Sequence, residues 1–313
     1  MSQAVFAHPQ KSTIDRFNLG APQAFRWGHS LLPELAERWA FQRFMSPERR
    51  QSPADEAALR AGARPLRVEL EPNGDQVLAW QWGEGPPVLL VHGWEGRAAQ
   101  FAGFIPRLLE QGLSAVAFDA PAHGQSPGGQ ASLRTFALAA RNVAARVGRL
   151  QGLIGHSLGG LAALLALRQS LQAESAVVIA PPSPGAHFNA FSRQLGLDEG
   201  ARERIARRVE TEVGLSFAAV EGSALAADLR TPGLVIHDRS DKEAPWQVGA
   251  KTAAAWPDAV LHTTDALGHR RILRDPVVIE TAVSFIARHR LGLPESADLR
   301  RWLDFHESRL LAG

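Results

Sequence analysis

Two hydrophobic periodicities divide this chain of 313 residues. Up to about residue 65, apolar positions recur at helical spacing. Over residues 30–44, Leu31, Leu32, Leu35, Ala36 and Trp39 fall on one helical face, and Pro33 is tolerated in the first turn. A shorter helix is predicted over residues 52–62. Ser52 would cap it, Pro53 takes its first position, Asp55 closes a capping box and Gly62 stops it. From Pro65 the period becomes two: residues 66–70 and 76–82 alternate about Pro72-Asn73-Gly74-Asp75, the pattern of a β-hairpin. Beyond it, strands are predicted at 88–91, 114–118, 152–156, 176–180, 234–236 and 259–263. Helices are predicted at 101–111, 133–147, from 158 onward, 244–255 and 276–289. Apolar strands interleaved with amphipathic helices imply a mostly parallel sheet covered on both faces.

Residues 181–228 interrupt this alternation with a segment too long for an ordinary connection. It is helical in pattern: within residues 201–213, Ile205, Val209 and Val213 form one stripe, and Glu203 and Arg207 are spaced to pair. In open α/β sheets ligands bind beyond the strand C-termini, where such a segment must lie, so it is expected to form a small cap over the site. The tail, with Leu299, Trp302, Leu303 and Leu310, reads as one more amphipathic helix. The expected organisation is an N-terminal helical extension over 1–65, which packs on the main domain, then the α/β domain over 66–293 and a C-terminal helix over 294–313.

Candidate chemistry gathers on Gly155-His156-Ser157-Leu158-Gly159-Gly160, between an apolar strand and an apolar helix. Glycines two before and two after the serine leave room for a tight strand-to-helix turn. That turn holds the serine backbone in a strained conformation and pushes its hydroxyl out above the sheet. The following helix points its N-terminus at the same place, which favours negative charge there. A serine hydroxyl needs a base to take its proton, so a histidine and an acid are required elsewhere.

The base is Gly268-His269, directly after a predicted strand, and the acid lies in His237-Asp238-Arg239-Ser240-Asp241-Lys242-Glu243-Ala244-Pro245, after the strand before it. Asp238 and Asp241 compete. Asp241, deeper in the loop and four residues before Pro245, is favoured. The order Ser157, Asp241, His269 is the one that follows a nucleophile elbow. Donors for an oxyanion are expected from the backbone N–H of Leu158 and from that of Trp94 in Val91-His92-Gly93-Trp94-Glu95-Gly96. His92 reads as a structural ring beneath that loop. Asp119 and His123, in Phe118-Asp119-Ala120-Pro121-Ala122-His123-Gly124-Gln125-Ser126, read as parts of a turn held by side-chain hydrogen bonds. Nothing resembles a metal-ligand cluster or a phosphate-cradling glycine loop, so no metal and no cofactor are expected.

Taken together and in this order, the His92-Gly93-Trp94 loop, Asp119–Ser126, the Gly155–Gly160 elbow, Asp241 and Gly268-His269 resemble the α/β-hydrolase superfamily over roughly residues 66–290. The resemblance implies the α/β-hydrolase fold: an eight-stranded, mostly parallel sheet led by a hairpin, with helices on both faces. It also implies a cofactor-independent serine hydrolase. Relatives that open epoxides or remove halides use an aspartate where Ser157 stands, and epoxide openers also use tyrosines. A chain with this serine and no tyrosine departs from both. The activity expected is cleavage of a small carboxylic ester or thioester through an acyl-serine. Acyl transfer, peroxide-dependent acid chemistry or C–C cleavage on the same triad are the rivals. Lipase action at a membrane surface through the 31–39 helix, or a non-catalytic binding role, are further alternatives.

Composition alters this picture little. Lys and Arg total 34 against 32 for Asp and Glu, a net charge of +2. The pI near 9.6 arises because, without Tyr or Cys, almost nothing titrates between histidine and lysine. That balance carries no footprint for nucleic acid. The absence of cysteine removes disulfides, thiolate metal sites and a cysteine nucleophile. The first residues lack a basic stretch followed by an apolar core, and no run has the length of a bilayer span, so a soluble, cytoplasmic protein is expected.

Overall fold

The computed structural model describes residues 28, 31–49, 61–70 and 74–290. Its centre is an eight-stranded sheet in the order β1-β2-β4-β3-β5-β6-β7-β8. The strands are β1 Arg64–Leu70, β2 Asp75–Trp82, β3 Pro87–Val91, β4 Ser114–Phe118, β5 Gly152–His156, β6 Ala176–Ile179, β7 Gly233–Asp238 and β8 Ala259–Thr264. β1 and β2 form the predicted hairpin, with Val68 opposite Val77, and β2 runs antiparallel to β4. Every other pairing is parallel. The sheet thus has the hairpin edge and parallel centre expected of the α/β-hydrolase fold.

Side chains alternate across a strand, so each central strand supplies two cores. Leu89, Val91, Val116, Leu153, Val178 and Val235 face one side, where helices Leu133–Val147 and Leu158–Arg168 cover them. Val88, Leu90, Ala117, Ile154, Val177 and Ile236 face the other, under helices Phe104–Glu110 and Pro276–Arg290. Most of these residues are fully buried, which is why the parallel strands read as continuous apolar runs. The helix at 133–147 begins where a capping box starts it: Thr135 N–H donates to Ser132 Oγ at 3.2 Å, and Ser132 N–H to Thr135 Oγ1 at 2.9 Å. The helix predicted at 101–111 divides into a 3₁₀ turn, Ala98–Phe101, and the helix Phe104–Glu110.

Residues 181–228, the expected cap, form three helices, Pro184–Leu195, Glu199–Val213 and Gly222–Ala226. Ile205 and Val209 are buried, as their stripe predicted, and Arg207 lies 3.7 Å from Glu203. Their core includes a segment from far upstream. Ala40, Phe41 and Met45 of the helix Pro33–Met45 pack with Phe188, Phe191, Leu195, Ile205 and Val209. Of the predicted apolar face of this N-terminal helix, Ala36 packs against this core and the larger residues do not. Leu31, Leu32, Leu35 and Trp39 are 76%, 58%, 60% and 44% exposed. The aromatic-rich cap offers its best partners to Phe41 and Phe44, whose ring meets Phe188 edge-on at 5.3 Å and Phe191 at 5.1 Å. The helix predicted over 52–62 falls almost wholly outside the described residues, which resume at the turn of Ala61 and Gly62, and the helix predicted within 294–313 lies outside them too.

Candidate active site

β5 ends at His156, and the helix Leu158–Arg168 begins one residue later, leaving Ser157 to make the whole turn. Its φ of 54° and ψ of −126° are strained for a residue with a side chain. The turn is held by the Ser157 N–H, which donates to Ile179 O of the neighbouring strand at 2.9 Å. The flanking glycines have steric reasons. A Cβ on Gly155 would stand 2.5 Å from Gly159 O, and one on Gly159 would collide with the carbonyls of Val91 and His92. Leu158 is the first helical residue, where backbone N–H groups lack intrahelical acceptors.

The loops after β7 and β8 reach the same edge of the sheet. His269 Nε2 lies 3.0 Å from Ser157 Oγ, and its Nδ1 lies 2.8 Å from Asp241 Oδ2. The structure therefore brings Ser157, His269 and Asp241 into one continuous line. Asp241 is braced in turn: its Oδ1 accepts from the N–H groups of Glu243 and Ala244, both at 2.8 Å. Burial opposes its ionisation. Hydrogen bonds from His237 and His269, the charge of His269 and the Ala244 N–H outweigh that and hold its carboxyl well below the usual carboxylate range.

Asp238, the competing acid, shapes the base's loop. It accepts from the N–H groups of Leu267 at 3.0 Å and Gly268 at 2.9 Å, from Ser240 N–H at 2.9 Å and from Thr264 Oγ1 at 2.8 Å. Burial works against its charge, but these donors lower its pKa below the usual value.

Several supporting groups carry no signal in a motif. His156 donates from Nε2 to the carbonyl of His269 at 2.9 Å, and the two rings lie 4.8 Å apart. Burial, then the neighbouring His269, pushes the His156 pKa down to about 3. Its ring is thus neutral at pH 7 and places no positive charge beside His269. Arg270 and Glu243, each next to or near one member of the triad, join the two loops by a pair of hydrogen bonds at 3.0 and 3.2 Å. Only after folding do these partners, more than 25 residues apart, come together.

The fourth loop, after β3, crosses beside the serine. A Cβ on Gly93 would stand 2.8 Å from Ser157 Cβ, so Gly93 admits the close approach of this loop, which continues into Trp94, to Ser157. The loop closes with Gly96 N–H on Gly93 O at 3.0 Å. Beneath it, His92 Nε2 accepts from Ala120 N–H at 2.9 Å while Nδ1 faces Gly93 O at 2.8 Å, which fixes a neutral ring with its proton on Nδ1. Burial, then the nearby His123, lowers its pKa to about 3. Asp119 receives the N–H groups of Ala98 and Gln125, both at 2.8 Å, and Ser126 Oγ donates to its carbonyl. His92, Asp119 and His123 are therefore parts of the scaffold, as their sequence context implied. Among the described residues, no group of three or more His, Asp or Glu is arranged to hold a metal ion. No helix among them is long and apolar enough to cross a membrane.

A family model described as the alpha/beta hydrolase family matches residues 88–282, well over half of the chain, and the protein belongs to that family. A serine hydrolase-like protein of Homo sapiens is 40% identical over 92 residues, covering 27% of this chain and 45% of that protein. A pimeloyl-[acyl-carrier protein] methyl ester esterase of Methylococcus capsulatus is 35% identical over 103 residues, covering 33% of this chain and 39% of the relative. The chain thus spans less than half the length of these two curated relatives. Among solved structures, the esterase PF2001 of Pyrococcus furiosus superposes with a TM-score of 0.57 at 19% identity, over 78% of this chain and 96% of its own. That likeness is one of fold.

Proposed function

We propose that this protein is a serine hydrolase that cleaves a small carboxylic ester or thioester through an acyl-serine intermediate. The observation that carries this is the unbroken line Asp241–His269–Ser157, with contacts of 2.8 and 3.0 Å, ending on a serine strained out of the sheet. Ser157 Oγ attacks the substrate carbonyl carbon as His269 Nε2 takes its proton. The carbonyl oxygen becomes an oxyanion, received by the N–H groups of Leu158 and Trp94. His269 returns the proton to the leaving alcohol or thiol as the C–O or C–S bond breaks. Water, deprotonated by the same Nε2, then attacks the acyl-serine, and collapse of the second tetrahedral intermediate releases the acid and restores Ser157. Asp241 holds the tautomer that leaves Nε2 free to accept, and it stabilises the imidazolium. An esterase and a serine hydrolase-like protein among the relatives support this substrate class.

Labelling with a fluorophosphonate probe tests it, with the modified peptide mapped by mass spectrometry. Wild type is expected to label at Ser157, and Ser157→Ala is expected to lose both the label and on the order of 10³-fold or more in turnover of a p-nitrophenyl ester. Turnover by Ser157→Ala within a few fold of wild type would refute the assignment.

A further inference from the structure

The segment that follows the N-terminal helix does not leave the site. Met45 O accepts the N–H of Ala131 at 2.9 Å. Glu48 N–H donates to Glu95 Oε1 at 3.3 Å, and Arg49 donates to Gly128 O at 2.6 Å and Gly124 O at 3.5 Å. The same helix is seated in the cap through Phe41, Phe44 and Met45, and Glu37 takes Arg204 of the cap in a fork with contacts of 2.6 to 3.1 Å. One stretch of chain therefore spans the cap, the oxyanion-side loop and the loop behind it.

Its contact with Glu95 is unusual chemically. Residues 93–96 form a turn closed by Gly96 N–H on Gly93 O, with positive φ at Glu95 but not at Trp94. That is the type II pattern, whose third position selects glycine or asparagine. Glu95 instead holds φ at 55° and is 9% exposed, so a strained, buried carboxylate occupies the place where glycine would be relaxed. Strain retained at one residue of a site loop points to a task for its side chain. Here the side chain reaches an N–H from a segment 47 residues upstream, and its backbone adjoins the amide of Trp94.

We propose that residues 43–49 act as a strap that positions the oxyanion loop, and that Glu95 is the positioning residue through which it does so, its carboxylate setting where the Trp94 N–H stands relative to Ser157. The inference rests on the serine-hydrolase reading. It makes the N-terminal extension a working part of the active site rather than an added layer.

The full chain carrying Glu95→Gly, Glu95→Gln or Glu48→Pro tests it, with p-nitrophenyl butyrate as substrate and a trifluoromethyl ketone as tetrahedral analogue. Glu95→Gly relaxes the turn but cuts the tether. Its kcat is expected to fall about tenfold with KM little changed, analogue affinity falling in parallel and Tm equal to or above wild type. Glu95→Gln keeps both the strained backbone and an oxygen to accept the Glu48 N–H, and kcat within about threefold of wild type is expected. Glu48→Pro deletes the donating N–H together with the Glu48–Arg43 ion pair of 2.9 Å. It is expected to follow Glu95→Gly while Glu48→Ala, which loses the ion pair and keeps the N–H, retains wild-type kcat, and the two keep the test usable if Glu95→Gly folds poorly. A folded Glu95→Gly or Glu48→Pro with wild-type kcat and analogue affinity overturns the strap. Failure of wild type to label at Ser157 with fluorophosphonate instead removes the reading beneath it, and the two failures are thereby separate.

Discussion

The sheet edge and the cap are held by different forces. At the edge, Ser157, Asp241 and His269 stand on loops a few residues past strands β5, β7 and β8, and each loop is fixed by directed hydrogen bonds: Ser157 N–H on Ile179 O, Asp238 on Leu267 and Gly268, His156 on His269 O. The cap and the N-terminal helix share an apolar core of Phe41, Phe188, Phe191 and Ile205, rimmed by exposed ion pairs. Hydrogen bonds specify geometry to tenths of an ångström, whereas apolar packing tolerates exchange of shape so long as volume is kept. Directed bonds are therefore concentrated where the proposed proton transfer needs precision, and the contact between the cap and the N-terminal helix is built from the more tolerant material.

The largest effect expected from breaking this contrast is at Asp241. Asp241→Asn replaces the acceptor of the His269 Nδ1 proton and favours the wrong tautomer, so kcat is expected to fall on the order of 10⁴-fold, about 5.5 kcal/mol, with little loss of fold. Asp238→Asn is expected to cost far less in kcat and more in Tm, because its carboxylate serves four donors of the loop and none of the triad atoms. Steady-state kinetics and thermal melts on both variants decide this. A larger loss of kcat at Asp238 would reverse the assignment of the two acids.

This division also marks what was legible before folding. The strands, the hairpin, the elbow and the order of Ser157, Asp241 and His269 show in local period and in the spacing of glycines about a serine, so they stand in the sequence, although the crowding that requires Gly159 and Gly93 comes from residues more than 60 positions away. Asp238 and Asp241 could be ranked but not separated, because both follow the same strand. Only the folded loop shows Asp238 turned to Gly268 N–H and Asp241 to His269 Nδ1. The N-terminal helix is the clearer miss. Leu31, Leu32, Leu35 and Trp39 form the more regular stripe, yet Ala40, Phe41 and Met45 are the residues buried, because the choice was made by aromatic partners 150 residues away. His156 and the contact of Glu48 with Glu95 were invisible for the same reason: a long-range backbone acceptor or donor leaves no period.

Acid sharpens the contrast next. His92, His123 and His156 all lie at the sheet edge, and burial above all lowers them to about 3, 4 and 3. Above pH 6.5 they are neutral in both folded and unfolded chains and add no pH dependence. As pH falls below 6.5 the unfolded chain takes up protons that the folded one refuses, so stability falls, and it goes on falling until the folded values are reached. At pH 5.5 each of these three histidines costs about 1.4 kcal/mol, about 4 kcal/mol together, and His187 and His289, also lowered by burial, add to the loss. Asp238 and Asp241, whose values are depressed, withdraw their contribution only below the ordinary carboxylate range, so the interval from pH 7 to 5.5 isolates the histidines. Denaturant unfolding at pH 7.5 and 5.5 measures the loss, and His123→Phe is expected to remove about 1.4 kcal/mol of it. Equal stability at the two pH values would show that these rings are protonated in the fold.

The cap supplies the smallest effects and the sharpest internal control. Phe191, 6% exposed against Phe44 and Phe188, contributes through burial, and Phe191→Ala is expected to cost about 3 kcal/mol. Arg204 and Glu37 make a geometrically good fork in the same interface, yet the arginine lies in solvent, where screening and the entropy of two long side chains cancel most of the attraction. Arg204→Ala is therefore expected to leave Tm unchanged within measurement error, in low salt and at 0.5 M sodium chloride alike. Loss of stability by Arg204→Ala that vanished in salt would mean the cap is fastened by charge rather than by its aromatic core. The N-terminal helix would then be expected to loosen with ionic strength while the triad beneath stayed intact.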